Sequence, residues 1–300
     1  MPTFLLYSLK AAGCLAVFYL FYKLLLSRDT LHRMNRVLLC GVLLLSFLLP
    51  LCVITVEKEL PGVSAAGIDV IPENYFRRDM VFENRIPDDT RDLMITEEPE
   101  PAPEPFDWGV LLGIIYFAGV FATLGWTVCN IVRVVRMTRR GQRIPLGNGS
   151  VLVLSDRIRA PFSWMRYVVM SEEDYACGGG TILVHEQAHQ RLGHSWDLLL
   201  VDLLGCLQWF NPAMWLLRRE LRAIHEYEAD EAVLDSGVDA RSYQMLLIKK
   251  AAGGRWYSIA NSFNHSKLKN RITMMLRKRS SRWAVARVLF VLPLAGLALG

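Results

Sequence analysis

The chain has 300 residues, 52% of them hydrophobic, and a net charge of +5 from 34 basic and 29 acidic side chains. Its apolar residues gather in long runs instead of alternating with polar ones, which excludes an ordinary soluble domain. Six cysteines without a C-x-x-C spacing exclude a zinc ribbon and argue against a disulfide scaffold.

The first run, FLLYSLKAAGCLAVFYLFYKLLL (4–26), reaches the ~20 residues that a bilayer crossing needs. It has no basic leading region, carries Lys10 inside and lacks a small-x-small site, so it reads as a retained span, not a cleaved signal. A second run covers 37–56, a third 108–132, and a shorter fourth, carrying Arg287, covers 283–300. Cys14, Cys40, Cys52 and Cys129 lie inside these runs and read as buried free thiols; Cys177 and Cys206 read as structural. Basic loops are retained in the cytoplasm. The loop 27–36 holds Arg28, Arg33 and Arg36, and 133–282 is basic throughout, so both are expected inside. The loop 57–107 is acidic and includes the proline-rich EEPEPAPEPFD, an extended linker expected outside. The expected topology has the N-terminus outside, two spans within 1–56, a third, a cytoplasmic domain and a fourth span.

Within that domain, SVLVLS (150–155) and MRYVVMS (165–171) read as a hairpin or strand pair around a RAPFSW turn. CGGGT (177–181) breaks the chain, Thr181 is an expected N-cap, Gly193 ends that helix, and Ser195 is an expected cap for a helix over 196–210. Asn211 and Pro212 fit the N-cap and first position of the next helix, which Gly237 should stop. One more helix is expected over 241–252. The stretch 196–217 is apolar, but Asp202, Gln208, Asn211 and Pro212 interrupt it, so a buried or membrane-associated hairpin is expected in place of a fifth span. The fold class is mainly α and polytopic: four transmembrane helices with a zincin-like (gluzincin) helical domain carrying a small β-sheet.

TILVHEQAHQRLGHSWD (181–197) carries the chemistry. His185 and His189, four apart on a helix, project side by side and can reach one ion. Glu186, about 100° round, is placed as general base for a water activated by zinc. Three third ligands can be weighed. His194 stands one residue off the extended H-E-x-x-H-x-x-G-x-x-H spacing, and an unbroken helix would point it away. Glu226, in HEYEAD (225–230), fits the His2Glu solution of thermolysin-like sites best. His225 reads as a neighbour able to stabilise an oxyanion. Glu228 should point away from Glu226, and Asp230, one turn on, should accept the other ring N–H of a ligating histidine. Before the site helix, Pro161, Phe162 and Ser163 lie where many zinc peptidases place an edge strand. Substrate strand addition and plain core packing are equal readings there. The basic run 265–282 precedes the fourth apolar run, which favours anionic lipid over nucleic acid.

ILVHEQAHQRLGHSWDLL, WFNPAMWLLRRELRAIHEYEADEAVL and PFSW together closely resemble the BlaR/MecR-type antirepressor membrane zinc metallopeptidases, in a Bacteroidetes-like branch. The resemblance implies one Zn2+ held by His185, His189 and Glu226, with Glu186 as catalytic base. It also implies a bacterial inner-membrane location and a signal relayed by cutting a DNA-binding repressor or the peptidase itself. Membrane lipids are implied partners, direct nucleic-acid contact is not, and a dimer remains open. No penicillin-binding sensor domain, whose acylation motif is S-x-x-K, is read in these residues, so β-lactam sensing is not expected. Two other functions compete: a membrane quality-control zinc protease, and a non-catalytic transducer whose zinc is structural.

Overall fold

The computed structural model describes residues 3–52, 106–147, 149–156, 158, 160–176, 179–252, 260–278, 280 and 286. The chain divides into two units, Met1–Val53 with Gly109–Gly300, and Ile54–Trp108. The expected outer loop 57–107, except for its last two residues, and the expected fourth span, except for 286, lie outside the described residues.

Among the described residues, three helices are long and apolar enough to cross a membrane. Helix α1 is Thr3–Leu25, α2 is His32–Leu48 with a 3-10 turn Leu49–Leu51, and α3 is Trp108–Arg140. The start and end of α2 and the end of α3 differ from expectation: the run expected to 56 leaves the helix after Leu51, with Cys52 extended and 53–56 outside the described residues. Helix α2 starts five residues early, so Arg33 and Arg36 are helical and not in a loop. The Asn35 amide donates to the carbonyls of Leu26 and Asp29, closing the α1–α2 turn and letting the helix begin before the apolar run. Helix α3 continues beyond 132 because its basic end, including Arg139 and Arg140, suits a helix C-terminus. Cys14 and Cys40 are half-buried, whereas Cys52 and Cys129 face outward; all are free thiols, as is the buried Cys206.

A four-stranded sheet follows, with β1 Gln142–Leu146, β2 Ser150–Leu154, β3 Phe162–Trp164 and β4 Tyr167–Met170 in the order β1-β2-β4-β3. Strands β2 and β4, expected as a hairpin or pair, are paired in parallel, Val151 with Tyr167 through Leu154 with Met170. The supposed turn between them contains β3, which forms the hairpin with β4 and occupies the sheet edge. Its loop is Met165–Arg166, and Met165 adopts φ 51°, the left-handed conformation that a two-residue hairpin demands at its first position. Strand β1 tolerates Pro145 because it is the other edge.

Among the described residues the sheet is followed by the helices α4 Glu172–Ala176, α5 Gly179–Arg191, α6 His194–Leu207, α7 Pro212–Asp235 and α8 Ala240–Ala252, with α9 Ala260–Met275 beyond them. Thr181 lies inside the first turn of α5 and is not its cap. Gly193 (φ 73°), not Ser195, is the N-cap of α6; Ser195 Oγ instead accepts from the Met165 N–H, tying the β3–β4 loop to α6. Asn211 caps α7 as expected, its side chain accepting from Ala213 N–H, and Gly237 adopts φ 90° after the helix.

The α6–α7 hairpin packs among the apolar helices. Leu15, Phe18 and Tyr22 of α1, Leu39 and Leu43 of α2, and Met214, Leu217 and Leu221 of α7 form one buried core. In lipid the apolar effect does not separate helix from solvent, so tight packing and polar tethers must fix such an arrangement. Polar tethers hold the hairpin tip: Gln208 Nε2 donates to Ser8 O, Asn211 Nδ2 to Ala12 O, Tyr116 Oη to Leu207 O and Trp209 Nε1 to Tyr116 O. Gly119 lets Trp209 lie against α3, where an added Cβ would stand 2.2 Å from the indole. Asp202, an apparent interruption, is paired with Arg218 across the hairpin.

Candidate metal centre

Helix α5 presents His185 and His189 one turn apart, and their Nε2 atoms lie 3.2 Å from each other. Helix α7 packs against α5 and brings Glu226 to them. Glu226 Oε2 is 3.5 Å from His185 Nε2, and Oε1 is 3.7 Å from His189 Nε2. Among the described residues, these three form a group whose ligand atoms all lie within 4.8 Å of one another. Both histidines have their Nδ1 atoms engaged elsewhere, by Tyr243 and by His194. Two Nε2 atoms and a carboxylate therefore converge, each able to present a lone pair to a cation that displaces the protons between them. Donors on a tetrahedral ion with bonds of ~2.1 Å stand about 3.4 Å apart, so this N,N,O set fits a divalent cation of that kind.

Burial drives His189 down to about 3 against the opposing charge of Glu226, so its ring is neutral near pH 7. Burial also lowers His194, outweighing its bond to Glu228. His185 is instead raised: burial opposes its charge, but the Glu226 hydrogen bond and the carboxylates of Glu226 and Asp230 prevail. Glu226 is held well below the ordinary carboxylate range despite burial, by the His185 hydrogen bond and the Arg271 cation. Glu186, 7% exposed, moves the other way because burial penalises its charge more than His185 and a hydrogen bond from Ser163 favour it. A buried carboxyl with a raised pKa beside a donor triad suits general-base work.

Asp230 stands near His185, with Oδ1 3.4 Å from Nδ1. A shorter route runs through Tyr243, whose hydroxyl lies 3.0 Å from His185 Nδ1 and donates to Asp230 Oδ1 at 2.7 Å. Arg271 of α9 donates to Asp230 and pairs with Glu226 Oε2 at 2.9 Å. Neither Tyr243 nor Arg271 stands out in the sequence. Asp230 does carry a signal, since an acid one turn past Glu226 needs a cation when buried.

His194 is not among the three converging ligands, yet it does not point away. Its Nδ1 lies 2.7 Å from His189 Nδ1, and its Nε2 2.8 Å from Glu228. His225 stacks on His194 at 4.0 Å, and its Nε2 is 2.9 Å from Asp197 Oδ2. Phe162 and Ser163 lie on the edge strand β3 with Pro161 just before it, and β3 packs on α5. The string Ser266–Lys269 spells S-x-x-K, but inside α9.

Residues 151–275 match the family model described as BlaR1 peptidase M56. No curated protein matches the chain.

Proposed function

We propose that the chain, whose residues 151–275 match the model described as BlaR1 peptidase M56, is an integral-membrane zinc endopeptidase. It relays an extracytoplasmic signal by cutting a cytoplasmic protein, a DNA-binding repressor or the peptidase itself. The observation that carries this reading is the convergence of His185, His189 and Glu226 beside a buried Glu186. A structural ion needs no neighbouring base, so Glu186 favours hydrolysis over a non-catalytic transducer.

In this reading the two imidazoles and Glu226 hold one Zn2+, which when bound supplies a Lewis acid to the scissile carbonyl and lowers the pKa of water. Glu186 takes the proton of the attacking water and returns it to the leaving nitrogen. The Ser163 hydroxyl, bonded to Glu186, orients that base from strand β3. The outer edge of β3 receives the substrate as an added strand, through main-chain hydrogen bonds at Phe162 and its neighbours. The peptidase faces the cytoplasm of a bacterial inner membrane, with the N-terminus outside and the basic α9 region against anionic lipid.

Glu186→Gln in the full chain tests this reading. The variant should keep one bound zinc and its fold while cleavage of co-expressed repressors and self-cleavage fall by about 10²–10⁴-fold. Undiminished proteolysis would overturn the assignment. Bound zinc with no cleavage by the wild type would favour the transducer. Trapping of assorted damaged membrane proteins, in place of one repressor, would favour quality control.

A further inference from the structure

His189 has one nitrogen facing the donor triad and the other facing His194. Two ring nitrogens 2.7 Å apart, Nδ1 to Nδ1, share a single proton, so one donates and the other accepts. The direction is fixed one step further on. His194 Nε2 lies 2.8 Å from Glu228 Oε2, and a carboxylate only accepts. A neutral His194 therefore carries its proton on Nε2 and offers a lone pair at Nδ1. His189 must then donate from Nδ1, which leaves its Nε2 lone pair aimed at His185 and Glu226. The stacked ring of His225, inclined by 9° to that of His194, holds the plane in which this occurs.

Glu228 is 3% exposed, and its Oε1 has no hydrogen-bond partner, so Oε2 carries its interactions. The countercharge comes from Arg36, whose Nη1 is 3.3 Å from Oε2. Arg36 belongs to α2, a helix with the length and composition of a membrane span. The same guanidinium bonds Leu192 O through Nη2 and Asp197 Oδ2 through Nε, both at 2.6 Å. These partners flank Gly193 and His194, so one side chain from α2 grips both sides of the break that presents His194.

We propose that His194, Glu228 and Arg36 form a positioning relay that fixes His189 as an Nε2 metal ligand and ties the metal affinity of the centre to the seating of helix α2. The proposal rests on the zinc reading above. It supplies a physical route from a membrane segment to the peptidase centre: movement of α2 that separates Arg36 from Glu228 leaves the carboxylate that orients His194 buried without its countercharge. His189 is then free to present the wrong nitrogen.

Zinc affinity of the detergent-solubilised full chain, measured by chelator competition, reads the relay without requiring activity. The visible bands of the Co2+-substituted protein report ligand geometry. His194→Leu should weaken zinc by about 10–100-fold, the usual effect of losing a ligand's outer partner, and shift the Co2+ bands. His194→Asn, whose amide oxygen can stand where Nδ1 stands, should recover most of the affinity and the wild-type bands. Arg36→Met should weaken zinc less in Glu228→Gln than in the wild-type background, because the contact the two share is already lost there. Variants that melt earlier yet keep wild-type zinc affinity and Co2+ bands would reduce the relay to a structural ion pair and overturn the proposal. So would additive effects of Arg36→Met and Glu228→Gln. If His194→Leu does not fold, His194→Asn and the Arg36–Glu228 cycle still decide. A wild-type chain that binds no zinc would instead sink the metal reading on which the relay stands.

Discussion

Arg271 contacts two carboxylates with opposite tasks. It pairs with Glu226, which must keep its charge to ligate, and with Asp230, which is 1% exposed and holds Tyr243 against His185. The Asp230 charge is tolerable in that environment only because the guanidinium lies against it. Removing one member of a buried pair typically costs about 3–5 kcal/mol, since the partner stays buried and unpaired. Arg271→Met should therefore lower the melting temperature of the solubilised protein strongly. Adding Asp230→Asn should restore much of the loss, because the amide keeps a hydrogen-bond acceptor for Tyr243 without a charge. Equal melting of Arg271→Met and wild type would show that Asp230 is not held by this cation. Tyr243, with its pKa pushed up first by burial and then by Asp230, stays a neutral donor and serves as the direct partner of His185.

At the scale of elements, the break at Gly193 decides what His194 does. Counting azimuths along a continuous helix turns His194 away from the site, and that reasoning holds only while the helix continues. A single residue at φ 73° ends α5 and starts α6, returning the ring to His189. A Cβ at position 193 would meet nothing closer than Trp196 at 3.8 Å, so the cost of a side chain there is backbone strain alone. Gly193→Ala should destabilise by about 1–2 kcal/mol and weaken zinc binding through the displaced His194. Unchanged melting and zinc affinity would mean that the left-handed conformation is not what holds this turn. The same distinction explains what was legible in the sequence. Helix α7 could be read almost to the residue, since its Asn211 cap and Gly237 stop are local signals. The three apolar helices were legible from composition. The parallel pairing of β2 with β4 was not, because the intervening β3 is only three residues and resembles a turn. The roles of Tyr243 and Arg271 were equally hidden, because they depend on α8 and α9 folding back onto α7, which no local spacing records.

Across the whole molecule, the peptidase segment is continuous with the membrane helices. Asn211 reaches Ala12, near the middle of α1, while Glu220 pairs with Lys23 in its last turn. Helix α7 thus runs alongside α1 in the same direction. At ~1.5 Å per residue, Glu226 lies about 9 Å beyond Glu220 along that helix, past the end of α1. If α1 spans the hydrocarbon core, the Trp209–Phe210 tip lies near mid-depth, and the metal centre sits just beyond the membrane face at which α1 ends. Apolar tip residues and the paired Asp202–Arg218 fit this depth, since a lone charge would be costly there. Single cysteines in a cysteine-free full chain, probed with a membrane-impermeant maleimide, can check it. Phe210→Cys should resist labelling in intact cells and in inverted vesicles, although its side chain is exposed in the protein. Arg241→Cys, on the exposed start of α8, should label in inverted vesicles but not in intact cells. Labelling of Phe210→Cys in inverted vesicles would place the hairpin outside the bilayer, while labelling of Arg241→Cys in intact cells would reverse the topology. Only the expected pattern puts His189, Glu228 and Arg36 at one membrane boundary, where a displacement of α2 can act on a ligand without a separate linker domain.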